Sequence, residues 1–505
     1  MIRTIFVFLA TFATASPAVA KTVEIWIEPN GPNPRGIIEE RLKLFKAETG
    51  IDARAVVLEW GDAWNRITTA LDAGRGPEVM QLGTTWVSHL AAAGKLAPLD
   101  RLATAIRPER FTYPSWRTTM VDGDVKPYAV PWFVDVRVLM GNRKWLALQG
   151  VEASDLATVD GFRGVLSRLR DARPMRDAST TPYPFAFPGK RDWNLPHNFA
   201  PWIWSQGGDF IGKSQGQWSS RLLEKNTVIG IRRYVGFVVD GLVNPACLKE
   251  DAAQVSSRFL DGEQVFSIGP SEVIAQARVS EAEGGLQGTR IGQEGVLTFP
   301  IPAGPGGSVA FVGGSNLAIP KHKAKSEEAE KLLLFLIRPD NLDKYTKQIG
   351  FLSPDKDVLR SWASDPLYRV VVDQAEYGRA YPNIPNWEKV ESALIEMFSA
   401  VWALFDSSSG YHDEALYRIL VEFDEKIDGL YGAKQAAPRM TWPQFQAAIR
   451  EIPDLAVVDG RKISAPQPVA PPPGDYRIVA YGALGLLAMV VVALLIWRSV
   501  KRSTE

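Results

Sequence analysis

The chain has 505 residues, of which 46% are hydrophobic and 23% charged, a composition typical of folded globular domains rather than of a disordered chain. Its 57 basic residues are balanced by 57 acidic ones, which argues against nucleic acid as a partner, because proteins that bind it need excess positive charge. The one cysteine, Cys247, excludes an internal disulfide, and the four widely spaced histidines form no HExxH motif. We therefore expect neither a bound metal ion nor a cofactor.

The first twenty residues have the features of a signal peptide. Arg3 supplies a positive charge, residues 4–15 form an apolar run, and Ala18-Val19-Ala20 matches the small-x-small cleavage pattern. A membrane anchor is the alternative, but this run is too short to cross about 30 Å of hydrocarbon. We predict that residues 1–20 are removed and that the rest of the chain is exported.

Strand and helix patterns alternate along the exported body. Residues 22–28 alternate apolar and polar side chains as a strand does, and Ile38, Leu42 and Phe45 then recur at helical spacing. The same succession continues to about residue 93, which predicts a largely parallel α/β sheet with helices on both faces. In such sheets a ligand lies at the carboxyl ends of the strands, here near residues 28–30, 59–60 and 83–86.

The C-terminal part of the chain predicts a membrane tether. Residues 456–477 include a proline-rich stretch and are expected to form an extended linker. Residues 478–497 contain no charged side chain over a length that spans a bilayer, which predicts a transmembrane helix; a buried core helix is the alternative. Residues 498–505 include basic side chains and are predicted to be a cytoplasmic tail, so the body lies on the other side of the membrane.

Four segments, in order along the chain, together resemble a known family. They are ALDAGRGPEVMQLGTTWVSHLAAAGKLAPLD (70–100), VDGDVKPYAVPWFVDVRVLMGNRKW (121–145), PIPAGPGGSVAFVGGSNLAIPKHKAKSEEAEKLLLFLIRPD (300–340) and RAYPNIPNW (379–387). The chain is similar in these segments to the bacterial extracellular solute-binding proteins of the sugar-binding type, family 1, which feed ABC importers. Two features depart from the family pattern: Asn142 and Lys144 are one residue further apart than the usual adjacent pair, and a C-terminal transmembrane helix is atypical.

The resemblance implies an α/β, two-lobed periplasmic-binding-protein fold with the ligand cleft between the lobes. By the same resemblance, residues 22–130 and 302–350 form the first α/β lobe. Residues 131–301 and 351–455 form the second. The lobes would then be joined by crossover strands, and the predicted C-terminal transmembrane helix would follow the second lobe.

Candidate ligand-binding residues follow from what a sugar offers a protein. Sugars present flat C–H faces and rims of hydroxyls, so a site needs aromatic side chains and polar groups placed for hydrogen bonds. Core packing is the alternative for each aromatic candidate, and a plain surface position is the alternative for each polar one. The candidates are Glu28, Trp64, Trp86, Trp132, Asp135, Asp192, Trp193, Asn194, Ser315, Asn316 and Trp387.

The resemblance implies a membrane-tethered, periplasmic substrate-binding protein. Such a protein captures a sugar or oligosaccharide between two closing lobes and delivers it to the permease subunits of an ABC importer in the inner membrane. One alternative is a ligand sensor that signals in trans, since the tail is too short to form a cytoplasmic domain. Another is a carbohydrate-active enzyme, but 57 acidic residues always offer carboxylate pairs, and no GxGxxG dinucleotide motif is present. We therefore assign no catalytic residue.

Overall fold

The computed structural model describes residues 22–173, 181–192, 194–214, 216–283, 285–432, 439–453, 455 and 458. The predicted signal peptide, transmembrane helix and basic tail lie outside these residues, as do most of the predicted linker and Trp193. Within the described ranges, no helix is both long and apolar enough to cross a membrane. The tether therefore stays a prediction from the sequence.

The strands of the described residues form one large mixed sheet and a separate hairpin. The strands are β1 (Val23–Ile27), β2 (Ala53–Val57), β3 (Val79–Gly83), β4 (Val130–Asn142), β5 (Tyr183–Ala186), β6 (Ile211–Ser214), β7 (Gln217–Ser220), β8 (Gln264–Pro270), β9 (Val296–Phe299) and β10 (Val312–Ala318). The order in the large sheet is β2-β1-β3-β10-β4-β8-β5, with β9 also paired to β4, while β6 and β7 form the hairpin. Strands β1, β2 and β3 are parallel, whereas β10 is antiparallel to both of its neighbours.

Helices cover the faces of this sheet and extend its C-terminal side. They are α1 (Pro34–Thr49), α2 (Trp60–Asp72), α3 (Val87–Ala92), α4 (Ala103–Ile106), α5 (Tyr113–Arg117), α6 (Arg143–Leu148), α7 (Val159–Ala172), α8 (Leu195–Ser205), α9 (Lys225–Val239), α10 (Ala252–Leu260), α11 (Glu272–Gln276), α12 (Arg290–Glu294), α13 (Glu327–Leu336), α14 (Pro339–Ile349), α15 (Lys356–Trp362), α16 (Pro366–Tyr377), α17 (Trp387–Asp406), α18 (Asp413–Leu430) and α19 (Trp442–Arg450). Short 3₁₀ turns lie at Asp100–Leu102, Pro108–Arg110, Ala153–Leu156, Pro245–Lys249, Glu281–Glu283 and Lys321–Lys323.

The first lobe is built on β1, β2, β3 and the C-terminal half of β10. The helical spacing predicted for Ile38, Leu42 and Phe45 is confirmed, because all three are buried on the inner face of α1. The Asn33 side chain accepts a hydrogen bond from the Gly36 N–H at the start of this helix, which satisfies one of its free donors. Two apolar clusters pack against the opposite faces of this part of the sheet. A sheet covered on both faces is the predicted arrangement of the first lobe.

The second lobe has one large apolar core. It is formed by the C-terminal half of β4, by β5, β8 and β9, and by helices from α7 to α12 and from α15 to α19. Two lobes, each with its own core, confirm the predicted two-lobed α/β fold.

The chain crosses between the lobes inside strands rather than in loops. The first residues of β4 pair with β10, and its last residues pair with β8 and β9, so one strand runs through both lobes. The return crossing is at the start of β10, where Gly313 is opposite Asp135. A third connection follows α14, where Leu352 forms two backbone hydrogen bonds with Val134 of 2.8 and 3.0 Å.

The return crossing differs from the predicted boundary at residue 302. Ile301, Ala310 and Phe311 are buried in the second core, and the chain rejoins the first lobe only at residues 312–314. The reason is a turn at residues 304–307 that folds back onto the second lobe, where the Gly306 N–H donates to the carbonyl oxygen of Ser205. Similarly, β4 leaves the first lobe near Val134 to Arg137, some residues after the predicted boundary at 131.

Candidate functional site

Three tryptophans form an aromatic cluster at the carboxyl ends of β2 and β3. Trp60 opens α2 directly after β2, Trp64 follows one turn later, and Trp86 lies between β3 and α3. The ring centroids of Trp64 and Trp86 are 5.3 Å apart, and those of Trp60 and Trp86 are 5.7 Å apart. All three side chains are partly exposed. This surface has the flat apolar character that the C–H face of a sugar ring requires.

A buried polar network lies at the end of β1, beside the aromatic cluster. The Asn30 side-chain amide donates to Gln81 Oε1 at 2.8 Å and to the Tyr345 hydroxyl at 3.0 Å. The Gln81 amide in turn donates to Ser315 Oγ at 2.9 Å and to Asn30 Oδ1 at 3.2 Å. Ser315 is opposite Gly83 in the sheet, next to the tryptophans. The network therefore joins β1, β3, β10 and α14 at one edge of the first lobe.

Glu28 lies at this same edge, and its carboxylate is unpaired among the described residues. Its side chain is 0% exposed, and neither oxygen has a hydrogen-bond partner there. Its backbone N–H donates to Gln81 Oε1 at 3.2 Å, which fixes the residue against the network. Burial raises the pKa of Glu28 well above its usual range. An unpaired buried carboxyl group is costly, so it is a strong candidate for contact with a ligand.

A second group of charged side chains lies where β4 crosses between the lobes. Asp135 Oδ2 is 3.1 Å from Arg137 Nη2, whereas Asp135 Oδ1 has no partner in the described part of the chain. Arg137 also donates to Asn194 Oδ1 at 2.6 Å. Burial raises the pKa of Asp135, although Arg137 opposes this shift. Burial and the neighbouring Asp135 raise the pKa of Glu272, at the start of α11, to about 7.

The segment at residues 380–386 and the start of α17 form the second-lobe side of the region. Trp387 is 1% exposed, and its ring stacks on that of Tyr381 with centroids 4.4 Å apart. The two lobes touch here: Ser88 Oγ donates to the carbonyl oxygen of Ile384 at 3.1 Å. A ring nitrogen of His89 is 3.1 Å from Glu388 Oε1. The first-lobe helix α3 thus contacts the second lobe directly.

The structure brings some predicted residues together and separates others. Glu28, Trp64, Trp86 and Ser315 lie at one edge of the first lobe, and Asp135 with Asn194 lies at the crossing. Asp192 accepts the Asn194 N–H at 2.9 Å and so shapes the start of α8.

Three other candidates are buried by packing within the protein. Trp132 is 0% exposed and stacks on Tyr345, and Trp387 packs on Tyr381. Asn316 is buried and exchanges hydrogen bonds with Thr118. Trp193 lies outside the described residues.

The list of candidate residues omitted several that the structure adds to this region: Trp60, Asn30, Gln81, Tyr345, Arg137 and Glu272. Of these, Asn30 and Trp60 lie at strand ends where the sequence had placed a ligand. A signal was present for two others, since Gln81 and Arg137 each interrupt an otherwise apolar strand, and a buried polar side chain needs a partner. Within the described ranges, no group of three His, Cys, Asp or Glu side chains is arranged to hold a metal ion.

The class of protein follows from the fold and the site. Two lobes, crossover strands and a polar and aromatic edge between the lobes are the features of a periplasmic binding protein. The family model "Bacterial extracellular solute-binding protein" matches residues 40–370, and the chain belongs to this family. The resemblance stated from the sequence is thereby confirmed.

Curated and solved proteins agree with this assignment. The chain is 25% identical over 383 residues, 75% of its length and 84% of the relative's, to the diacetylchitobiose binding protein DasA of Streptomyces coelicolor. Its fold is similar to maltose-bound MalE3 of T. maritima, with a TM-score of 0.67, 19% identity, and coverage of 80% and 99% of the two chains. It is also similar to the sugar-binding protein MalE of Xanthomonas citri, with a TM-score of 0.65, 22% identity, and coverage of 83% and 100%. At these identities the two structures establish the fold.

Proposed function

We propose that this protein binds a sugar or oligosaccharide between its lobes and delivers it, chemically unchanged, to the permease subunits of an ABC importer. The observation that carries the proposal is the Trp60–Trp64–Trp86 cluster beside the buried carboxyl group of Glu28 and the hydroxyl of Ser315. Aromatic faces next to hydrogen-bonding groups are what a sugar needs. The names of the relatives, which include diacetylchitobiose-binding and maltose-bound proteins, support the same class of ligand.

Binding is coupled to movement of the lobes in this proposal. The lobes are joined by only a few residues, in β4, in β10 and after Gly350. Lobes that are joined in this way rotate relative to each other as rigid bodies. A ligand that contacts both lobes binds one arrangement better than the other and shifts the population toward it. The importer then recognises the ligand-bound arrangement.

The proposal also places the protein on the periplasmic side of the inner membrane. Residues 1–20 direct export, and residues 478–497 cross the membrane once, with the tail 498–505 in the cytoplasm. A tether through linker 456–477 keeps the binding lobes close to the permease. A reporter that is active only in the cytoplasm should give signal when fused to Glu505, and loss of that signal would contradict the orientation.

A thermal-shift screen tests the proposed ligand class. The protein is heated with mono-, di- and oligosaccharides and polyols, and a ligand at 100 times its Kd should stabilise the fold by about 2.7 kcal/mol. Prolonged incubation should return the ligand intact, as chromatography would show. Stabilisation by no saccharide would contradict the proposal, and the appearance of a cleaved product would favour the carbohydrate-active enzyme.

A further inference from the structure

The site region has more acidic than basic side chains among the described residues. Glu28 and Glu272 form no ion pair there, and Asp135 pairs only with Arg137. The groups are close along the sheet: Ser315, which bonds to the network that holds Glu28, is two residues from Gly313, the partner of Asp135. Asp135 and Glu272 therefore share the guanidinium group of Arg137, and Glu28 has no cation beside it among the described residues.

The neighbouring amides cannot satisfy Glu28, because their hydrogens are already used. Each side-chain amide has two N–H donors. Those of Asn30 are directed at Gln81 and Tyr345, and those of Gln81 at Asn30 and Ser315. The hydroxyls of Ser315 and Tyr345 keep an unused O–H hydrogen, but neither forms a hydrogen bond with Glu28. The Glu28 carboxyl group is therefore available to a donor from a bound ligand.

The chemistry of that ligand follows from the charge balance. A buried carboxylate without a cation is unfavourable, whereas a buried carboxylate paired with a hydrogen-bonded cation is compensated. A sugar hydroxyl supplies a hydrogen bond but no charge, and an acidic sugar adds like charge. A protonated amine supplies both the donors and the charge, and it is also attracted to the faces of neighbouring tryptophans.

We propose that the cleft selects saccharides bearing a protonated free amine, which lies against the Glu28 carboxylate, over neutral and acidic saccharides. This inference rests on the proposed function, and it specifies in addition that the ligand is positively charged. Binding of the amine moves Glu28 to its ionised form, so protons are released when the carboxyl group starts protonated. A neutral sugar at the same position releases none.

Isothermal titration of the full-length chain with matched disaccharides tests the inference. Chitobiose, N,N′-diacetylchitobiose and cellobiose differ only at C2 of each ring, where they carry amines, acetamides and hydroxyls. Glucosamine, N-acetylglucosamine, glucose and glucuronic acid form the corresponding monosaccharide set. Near pH 6.5, where most sugar amines are protonated, the amine should bind at least about tenfold more tightly than its neutral counterparts, because charged hydrogen bonds are about twice as strong as neutral ones. Titration in two buffers of different ionisation enthalpy should show proton release with the amine alone at any pH where the Glu28 carboxyl group of the free protein is protonated.

The Glu28→Gln variant should bind the amine no more tightly than its neutral counterparts. Glu376→Gln, which changes a carboxylate of α16 that pairs with the exposed Arg360, should keep the preference. If Glu28→Gln does not fold, the wild-type protein still gives an answer. Acidification that protonates Glu28 should reduce affinity for the amine and leave affinity for neutral sugars unchanged.

Two results would overturn the inference, and they are distinct. Neutral saccharides that bind as tightly as the amines, with no proton release, would refute the charge preference and leave the proposed function in place. If no saccharide of either set or of the wider screen binds, and spermidine does, the proposed function itself fails.

Discussion

The indole ring of Trp132 stacks on the phenol ring of Tyr345, with centroids 4.4 Å apart and planes inclined by 13°. The Tyr345 hydroxyl accepts a hydrogen bond from the Asn30 side chain at 3.0 Å. Trp132 is therefore one packing contact away from the polar network, although it is fully buried in the first-lobe core. Its contact with that network links core packing to the geometry of the site.

Replacing Trp132 with alanine should therefore lower the stability of the fold rather than remove a direct contact with the ligand. The loss of a fully buried aromatic side chain should reduce the free energy of unfolding by about 3–5 kcal/mol, measured by urea denaturation. Trp132→Phe, which keeps a ring against Tyr345, should recover much of that loss. Affinity lost in Trp132→Ala at full stability would instead show that Trp132 contacts the ligand.

Trp86 should contribute directly to binding, because its ring is partly exposed and contacts both other tryptophans of the cluster. Trp86→Ala should weaken saccharide binding by about 1–3 kcal/mol with little change in the melting temperature. Trp442→Ala is the matched control, since Trp442 is also partly exposed but lies on α19, packed on Tyr417. Equal affinities of the two variants would contradict the placement of the site.

Gly314 should be intolerant of any side chain, because β10 approaches β4 closely there. Its φ is +120°, and a Cβ would lie 2.2 Å from the carbonyl oxygen of Phe133. Gly314→Ala should cost at least about 3 kcal/mol of stability. Gly307→Ala, where φ is +90° and no atom lies within 4 Å, should cost only about 1–2 kcal/mol, and similar losses in both variants would contradict the argument.

The contacts between α3 and the second lobe should help to set the arrangement of the lobes. We expect the double variant Ser88→Ala with Glu388→Ala to change the small-angle scattering profile of the ligand-free protein, because it removes the side-chain contacts with Ile384 and with His89. Glu48→Gln, which removes an ion pair to Arg338 within the first lobe, should leave the profile unchanged. An unchanged profile in the double variant would show that these contacts do not set the arrangement of the lobes.

Stability should fall as the pH rises, in part through Glu391 of α17. Burial and the nearby Glu388 raise its pKa from 4.5 to about 8. Because the folded-state pKa is the higher one, the stabilising contribution is complete below about pH 4.5 and is lost as the pH rises through about 8. At about pH 9, Glu391→Gln should be more stable than the wild type by on the order of 2 kcal/mol, whereas at about pH 5 the two should be similar.

Urea denaturation across this pH range measures the difference. Glu414→Gln, a change at an exposed carboxylate of α18, is the control and should follow the wild-type curve. Parallel curves for Glu391→Gln and the wild type would show that Glu391 is ionised in the folded protein.

Local pattern was sufficient for the elements of the first lobe, because Ile38, Leu42 and Phe45 repeat with the helical period and the strands before and after are apolar. The local sequence could not show that Trp86 is partly exposed whereas Trp132 is buried. Both tryptophans lie near predicted strands and turns, and the packing around each ring is set only by the folded sheet.

The polar network could not be predicted from the sequence for a different reason. Asn30, Gln81, Ser315 and Tyr345 are brought together across as many as 315 positions of sequence, and no local rule pairs residues at that separation. The crossing into β10 lies about ten residues beyond the boundary at 302 that the resemblance implies, because residues 304–307 turn back onto the second lobe first.

The placement of β10 has a consequence for how the exported chain matures. Strands β3 and β4 are both in place by residue 142, yet each has an edge that only β10, beginning at Val312, can cover. In the export that we propose, these edges stay open until about 170 further residues have crossed the membrane, and open strand edges favour pairing between chains. We therefore expect the first lobe to be prone to aggregation until β10 is in place, and a chaperone that covers these edges would protect it.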